Sequence, residues 1–311
     1  MNRDNLIQAI NWETILNIYN KDYDKACEVW NKYRHMFLFE ISSEFTLWAS
    51  KLKVSINDLY REYNKVKDSF NDFDKEVKIL IYGDPDWPNQ INDLPYPTKV
   101  LYCKGNVSLL KKKNVSIIGS KAPKRENVEK LDKIISNLIK EEILVTSGLS
   151  LGTQGHAAVK SLSNFSPVIA VLATPLNVYY PKGHKQIQDY IAKEGGVVVT
   201  RVAPGDTNLK WNILLRNRLM CELSTAIFVL EEVDGGGAIQ LADYALSRER
   251  KVLFLSALKK NESITWPKKL IEHGAKTIRY PSELPKVINN NILKKVENNI
   301  KREEVKQLTL F

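Results

Sequence analysis

The first 75 residues contain no glycine: all 14 glycines fall at Gly83 or later. Helix-hairpin-helix DNA grips use glycine to bring hairpin amides up to a phosphate, so the amino-terminal part is not such a grip. Cysteine is scarce as well. Cys27, Cys103 and Cys221 are odd in number, far apart and without a neighbouring Cys or His at metal spacing. That argues against a disulfide framework and against zinc, and predicts buried thiols. No run approaches the ~20 apolar residues of a membrane span. The start, Met1-Asn2-Arg3-Asp4-Asn5, lacks the basic-then-apolar form of a secretion signal, so a cytoplasmic location without membrane contact is expected. There is no His-Glu-x-x-His, no Walker loop and no Gly-x-Gly-x-x-Gly after a strand, and no Gly-x-Ser-x-Gly nucleophile elbow is expected. No catalytic residue, metal or cofactor is therefore assigned, and the chain is expected not to be an enzyme.

What is present is basic charge, unevenly placed. The 311 residues hold 46 Lys/Arg and 36 Asp/Glu; residues 1–75 take 11 and 12 of these, leaving 35 and 24 for the rest. An excess confined to the later part favours a polyanionic partner, and nucleic acid is the common one.

Apolar residues before residue 75 recur at helical spacing, for example Ile7, Ile10, Trp12, Ile15 and Leu16, which predicts a small all-helical domain over residues 1–75. From residue 76 the rhythm changes. Short apolar runs at 77–82, 99–103, 115–118, 144–146, 168–172, 197–200, 226–230, 252–255 and 276–278 read as strands, with helical patterns at 126–141, 184–193, 212–223 and 237–249. The alternation predicts an α/β fold over 76–288, a doubly wound, mostly parallel sheet that binds ligands at its carboxyl edge.

Four small-residue loops follow four of the strands. They are Gly119-Ser120-Lys121; Ser147-Gly148-Leu149-Ser150-Leu151-Gly152; Thr174 to Lys182, ending Tyr180-Pro181-Lys182; and Gly235-Gly236-Gly237-Ala238. In a parallel sheet they converge on one edge, where unpaired amides and helix N-termini attract phosphate. In the helical stretch 212–223, Ile213, Leu214, Leu215, Leu219, Met220 and Leu223 supply the buried side. Arg216-Asn217-Arg218 in that stretch is either paired with carboxylates such as Glu222, Glu231 or Glu232, or offers planar guanidiniums to phosphate. The end of the chain, 289–311, is a basic tail closing on Gln307-Leu308-Thr309-Leu310-Phe311. Its apolar anchors suit either the chain's own surface or a partner's pocket.

The run from Tyr82-Gly83-Asp84 through Trp87-Pro88, Pro95, Pro97, Leu101-Tyr102-Cys103-Lys104-Gly105-Asn106 and Val115 to Lys121 resembles the DprA/Smf (DNA-processing protein A) family. So do Ser147-Gly148-Leu149, Gly152, Tyr180-Pro181-Lys182 and Arg216-Asn217-Arg218. The resemblance implies an extended Rossmann-like domain that binds single-stranded DNA in a basic pocket, self-associates as a homodimer and helps to load the RecA recombinase in recombination, repair or DNA uptake. Within that family the glycine-serine-arginine turn and the basic residue after Tyr-Pro contribute to the DNA pocket, here Gly119, Ser120, Lys121 and Lys182. Gly148, Gly152, Arg216, Asn217, Arg218, Gly236 and Gly237 complete the expected DNA or phosphate site. The family usually has arginine at the position of Leu151, aspartate at Gln154 and Asn177, and histidine at Ala158. Gln307, Leu308, Leu310 and Phe311 resemble the pentapeptide by which bacterial replication and repair proteins bind the DNA polymerase sliding clamp. Two alternatives stand beside a DNA binder: a regulator or antitoxin in a bacterial defence system, and a Rossmann protein that binds or hydrolyses nucleotides.

Overall fold

The structure, a computed structural model, describes residues 2–71 and 73–289. Four helices come first: α1 (Arg3–Ile18), α2 (Tyr23–Tyr33), α3 (Phe45–Leu52) and α4 (Ile56–Ser69). Side-chain oxygens of Asn2, Asp22 and Ser55 accept from backbone N–H groups in the first turns of α1, α2 and α4, satisfying donors a helix start leaves open. Because glycine is missing here, Asn20, Lys21 and Lys53 take the left-handed conformation at the turns. In α1 every residue from Gln8 to Leu16 is buried, so it is the central helix of this layer. Around it Trp12 meets Trp30 edge-on at 5.8 Å, and Trp30 lies 4.5 Å from Phe37.

Nine strands form one sheet: β1 (Lys78–Ile81), β2 (Val100–Gly105), β3 (Asn114–Ile118), β4 (Leu144–Ser147), β5 (Val168–Val171), β6 (Val197–Thr200), β7 (Ala226–Val229), β8 (Lys251–Leu255) and β9 (Lys276–Ile278). Their order is β1-β2-β6-β5-β4-β3-β7-β8-β9. β1 and β2 run antiparallel to each other, and β2 to β6; the remaining pairs are parallel. β3 to β7 are buried along their whole length, which is why they read as unbroken apolar runs rather than alternating ones.

Helices cover both faces. They are α5 (Arg125–Lys140), α6 (Thr153–Ser163), α7 (Lys185–Lys193), α8 (Leu209–Leu223), α9 (Gly237–Ser247) and α10 (Trp266–Glu272). Val115, Ile117, Val145 and Phe228 pack with Leu131, Ile134 and Leu138 of α5. The alternate positions Ile118, Ile169, Val171 and Val229 pack with Leu219 and Met220 of α8 and Leu241 and Ala242 of α9. On the first face, Ile79, Val100, Tyr102, Val168 and Val198 share one core with α1 to α4. The Tyr102 hydroxyl reaches across this core to donate to buried Glu13 at 3.1 Å.

β3 is flanked by β4 on one side and β7 on the other, so the winding direction reverses between β3 and β7. That reversal opens a crevice at the strand carboxyl ends. Of the three free cysteines, Cys103 and Cys221 are buried and Cys27, against expectation, is only half-buried. Burial pushes the Cys221 thiol up to about 12.

Candidate functional site

The loops after β3, β4 and β7 are locked together by backbone contacts. The Ser120 N–H donates to the Glu231 carbonyl at 2.9 Å. The Ser120 carbonyl accepts from the Thr153 N–H and hydroxyl, both at 3.0 Å. Gly152 opens α6 at φ +72°, where a Cβ would collide with the carbonyls of Ser120 and Lys121, so only glycine lets these loops come this close.

The result is a cleft of about 300 Å³ at the switch point. Gly119 and Lys121 line it from the β3 loop, Ser150, Leu151 and Gln154 from the start of α6, and Tyr180 and Pro181 from the loop after β5. The opposite wall is Arg216 and Asn217 of α8, with Glu232 and Gly237 after β7.

Arg216 defines the chemistry of this cleft. It is 6% exposed, and burial lowers its pKa from 12.5 to about 10. Its nitrogens donate to the Gly148 carbonyl, to Asn217 Oδ1 at 2.9 Å and to Ser150 Oγ at 3.4 Å. All three acceptors are neutral. The carboxylates considered as partners are engaged elsewhere. Glu222 binds Arg248 and Arg250, and Glu231 accepts from the Lys124 N–H and Asn127. Glu232 accepts from Val233 N–H at 3.0 Å and Ala238 N–H at 3.4 Å. A buried cation without a balancing charge is costly, and a bound anion would restore the balance.

The other expected site residues divide into two groups. Gly119, Lys121, Arg216, Asn217 and Gly237 line the cleft, and Gly148 and Gly152 shape it from behind. Lys182 is exposed and follows the cleft residue Pro181, without itself lining the cleft. Ser120 lies behind the wall, with its hydroxyl accepting from the Ala122 N–H at 3.1 Å. Gly236 packs on the Glu232 side chain. Arg218 points away from the cleft, its Cζ 4.5 Å from the Tyr96 ring centroid and 5.4 Å from that of Tyr244.

Two readings need correction. Two of the amides at this edge are not free: Ser120 N–H is taken by Glu231 and Gly148 N–H by Gln154 Oε1. Side chains add the cations Lys121 and Arg216. Leu214, expected on the buried side of α8, is 38% exposed, whereas Arg216 is buried. His156 pairs with Asp132 at 2.9 Å and His184 bonds the Leu149 carbonyl at 2.8 Å, and neither side chain lines the cleft.

Ser150, Leu151, Tyr180 and Pro181, placed by the sequence in loops at this edge, Gln154, at a position where the family has aspartate, and Glu232 line the cleft although none was among the expected DNA-contacting residues. The expectation of no Gly-x-Ser-x-Gly turn is also corrected: Gly148-Leu149-Ser150-Leu151-Gly152 has that spacing between strand β4 and helix α6. In a hydrolase that turn presents a nucleophilic serine to a histidine base. Here positive φ falls on Leu149 (+51°), and the Ser150 hydroxyl meets the Arg216 guanidinium. The pentad builds a guanidinium mount.

A family model for DNA recombination-mediator protein A matches residues 78–289, the whole sheet and its covering helices. The chain belongs to this family. Among relatives, it is 31% identical over 190 residues to the DNA processing protein DprA of Streptococcus pneumoniae, covering 61% of this chain and 66% of that protein. It is 29% identical to the protein Smf of Synechocystis, covering 68% of this chain but 54% of the relative, so it spans only part of the length of both. With DprA of Bacillus subtilis it shares 24% identity over 231 residues, covering 74% of this chain and 77% of that one. The crystal structure of DprA from Streptococcus pneumoniae superposes with a TM-score of 0.65 at 27% identity, covering 74% of this chain and 81% of that one. A structure of DNA processing protein A from Helicobacter pylori, described for its single-stranded DNA binding mode, gives 0.60 at 25% identity, covering 71% of this chain and 97% of that one. The Gln307 to Phe311 pentapeptide lies outside the described residues.

Proposed function

We propose that this protein binds single-stranded DNA at the carboxyl edge of its sheet and acts in DNA recombination, repair or uptake without itself catalysing a reaction. The supporting observation is Arg216: a buried guanidinium with only neutral acceptors, lining a cleft with Lys121, while the exposed Lys182 follows the cleft residue Pro181. Phosphate supplies the missing negative charge and accepts planar hydrogen bonds from the guanidinium. A cleft of about 300 Å³ admits a nucleotide of a single strand and excludes a duplex. Family membership and the single-stranded DNA binding mode described for the Helicobacter pylori relative favour the same ligand. In this reading the cleft holds the strand while a homodimer delivers it to RecA, and Gln307, Leu308, Leu310 and Phe311 tether the complex to the sliding clamp.

Fluorescence anisotropy with single-stranded, duplex and mononucleotide ligands over a salt series tests the ligand. Single strands should bind most tightly, with a logarithmic salt slope of roughly −0.7 per phosphate neutralised. Lys121→Glu and Lys182→Glu should each weaken binding alike for all sequences and flatten that slope. Wild-type affinity in both variants would remove the cleft assignment, and preference for a mononucleotide would move the protein to nucleotide binding. Deleting residues 307–311 should abolish clamp binding and leave oligonucleotide affinity unchanged.

A further inference from the structure

Beside the cleft, cations and aromatic rings alternate along a path that the phosphate site does not use. Arg201 lies with Cζ 4.8 Å from the Tyr23 ring. Tyr23 meets Tyr96 edge-on at 6.1 Å, and Tyr96 meets Trp211 at 5.1 Å. Arg218 stacks between Tyr96 and Tyr244, and among the described residues it makes no hydrogen bond or ion pair. Five segments distant in sequence converge here: α2, the Pro95-Tyr96-Pro97 turn, Arg201 after β6, α8 and α9.

Tyr96 is the member that faces solvent. It is 38% exposed despite these neighbours, and its φ is +54°. A bulky residue in that conformation is strained and is retained where the surroundings over-determine it. The flanking prolines restrict the turn further, so the ring is presented with little freedom to lose.

The position relative to the cleft follows from helix geometry. Ile213, Arg216 and Asn217 line the cleft, while Trp211, Leu214 and Arg218 form a second stripe of α8 at i, i+3 and i+7 spacing. Arg218 lies on nearly the opposite side of the helix from Arg216, and the exposed Lys210 and Leu214 form the crest between them. A strand whose phosphate sits at Arg216 reaches this stripe by crossing that crest. The exposed apolar area is one ring and one leucine, too little for a protein interface of ordinary size but matched to one base.

We propose that Tyr96, mounted on Arg218, is a base-stacking platform that continues the phosphate cleft, so that an unpaired base leaving the cleft stacks on the Tyr96 ring. This rests on the single-strand reading above and adds to it the group that contacts a base. The cation beneath polarises the ring, and stacking of this kind tolerates any base.

The test compares labelled oligothymidylate with an abasic strand of equal length, by anisotropy over a salt series, for the wild type, Tyr96→Leu, Tyr96→Ala and Tyr96→Trp. The wild type should prefer the base-bearing strand. Tyr96→Leu and Tyr96→Ala should lose affinity for it by roughly 5- to 150-fold, the equivalent of ~1–3 kcal/mol per stacked base. The salt slope and abasic binding should not change, and Tyr96→Trp should retain the preference. Thermal melts of all four proteins separate misfolding from lost stacking, and Tyr96→Leu keeps the apolar bulk if alanine unsettles the turn. Equal wild-type affinity for both strands, or a full preference in Tyr96→Leu, overturns the platform. If Lys121→Glu still weakens binding in that case, the cleft stands and the platform alone falls; if the wild type binds neither strand, both fall.

Discussion

The Arg216 guanidinium donates to the carbonyl of Gly148, 68 residues earlier in the chain, at a place where a Cβ on Gly148 would collide with that guanidinium. Strand β4 and helix α8 are thus fitted to each other around one charged group. Gly148→Ala should displace Arg216 and lower oligonucleotide affinity at least tenfold. It should also cost about 1–3 kcal/mol of stability, as overpacking at a close contact does. Anisotropy and urea denaturation on the same preparation would register both losses.

Arg216→Met should separate stability from binding. The pKa of Arg216 falls from 12.5 to about 10, and each unit corresponds to ~1.4 kcal/mol. Because the folded value lies below the unfolded one, the burden is complete below pH 10 and fades only as pH rises from there towards 12.5. At pH 7 an apolar replacement should therefore stabilise the unliganded protein by roughly 1–3 kcal/mol, the lost hydrogen bonds offsetting part of the gain. The same variant should lose oligonucleotide binding, so added single strand should raise the melting temperature of the wild type alone. A destabilised variant that still binds would contradict this account.

Strands β3 to β8 were legible because a parallel strand buried on both faces reads as an unbroken apolar run; β1 and β2, antiparallel at one edge, and β9 at the other stood out as short apolar runs between other patterns. Helices α5, α7, α8 and α9 were legible from their apolar periodicity. Helix α6 was not singled out because its buried side is Thr153, Gln154, Gly155, Ala157, Ala158 and Ser161, small or polar residues that leave no apolar stripe. The split between Arg216 and Arg218 follows from 100° per residue: two positions apart on a helix, they point to nearly opposite sides, one into the cleft and one to Tyr96. The occupied amides were beyond reach. Ser120 meets Glu231 only because loops 111 residues apart close on each other, and no local pattern encodes that contact.

Glu13, in the core between α1 and β2, gives a second stability test with the opposite pH sense. Burial raises its pKa above 4.5, outweighing Lys21 at 3.5 Å and the Tyr102 hydroxyl. A carboxyl whose folded pKa is raised destabilises the fold fully above that pKa, and the cost fades as pH falls through it towards the unfolded value. Glu13→Gln keeps an acceptor for Tyr102, and Asp206 at 3.5 Å still pairs Lys21. The substitution should raise stability by about 1 kcal/mol at pH 7, with the advantage gone by pH 4. Urea denaturation at the two pH values measures it.

Glu232 places a negative charge on the wall of an otherwise cationic cleft. Its carboxylate accepts from the N–H of Val233 and of Ala238, in the first turn of α9, where the helix dipole favours an anion. A bound phosphate would meet that charge on the same wall as Arg216, opposite Lys121. Glu232→Gln preserves an acceptor for the helix start and removes the repulsion. It should tighten single-strand binding about threefold to tenfold in low salt, an effect of the size expected for one partly screened charge. The gain should shrink above physiological ionic strength, where the Debye length falls below ~8 Å. Weaker binding by Glu232→Gln at every salt concentration would mean instead that the carboxylate orients the α9 loop for the strand, and a melt of the variant would separate that role from simple loss of the cap.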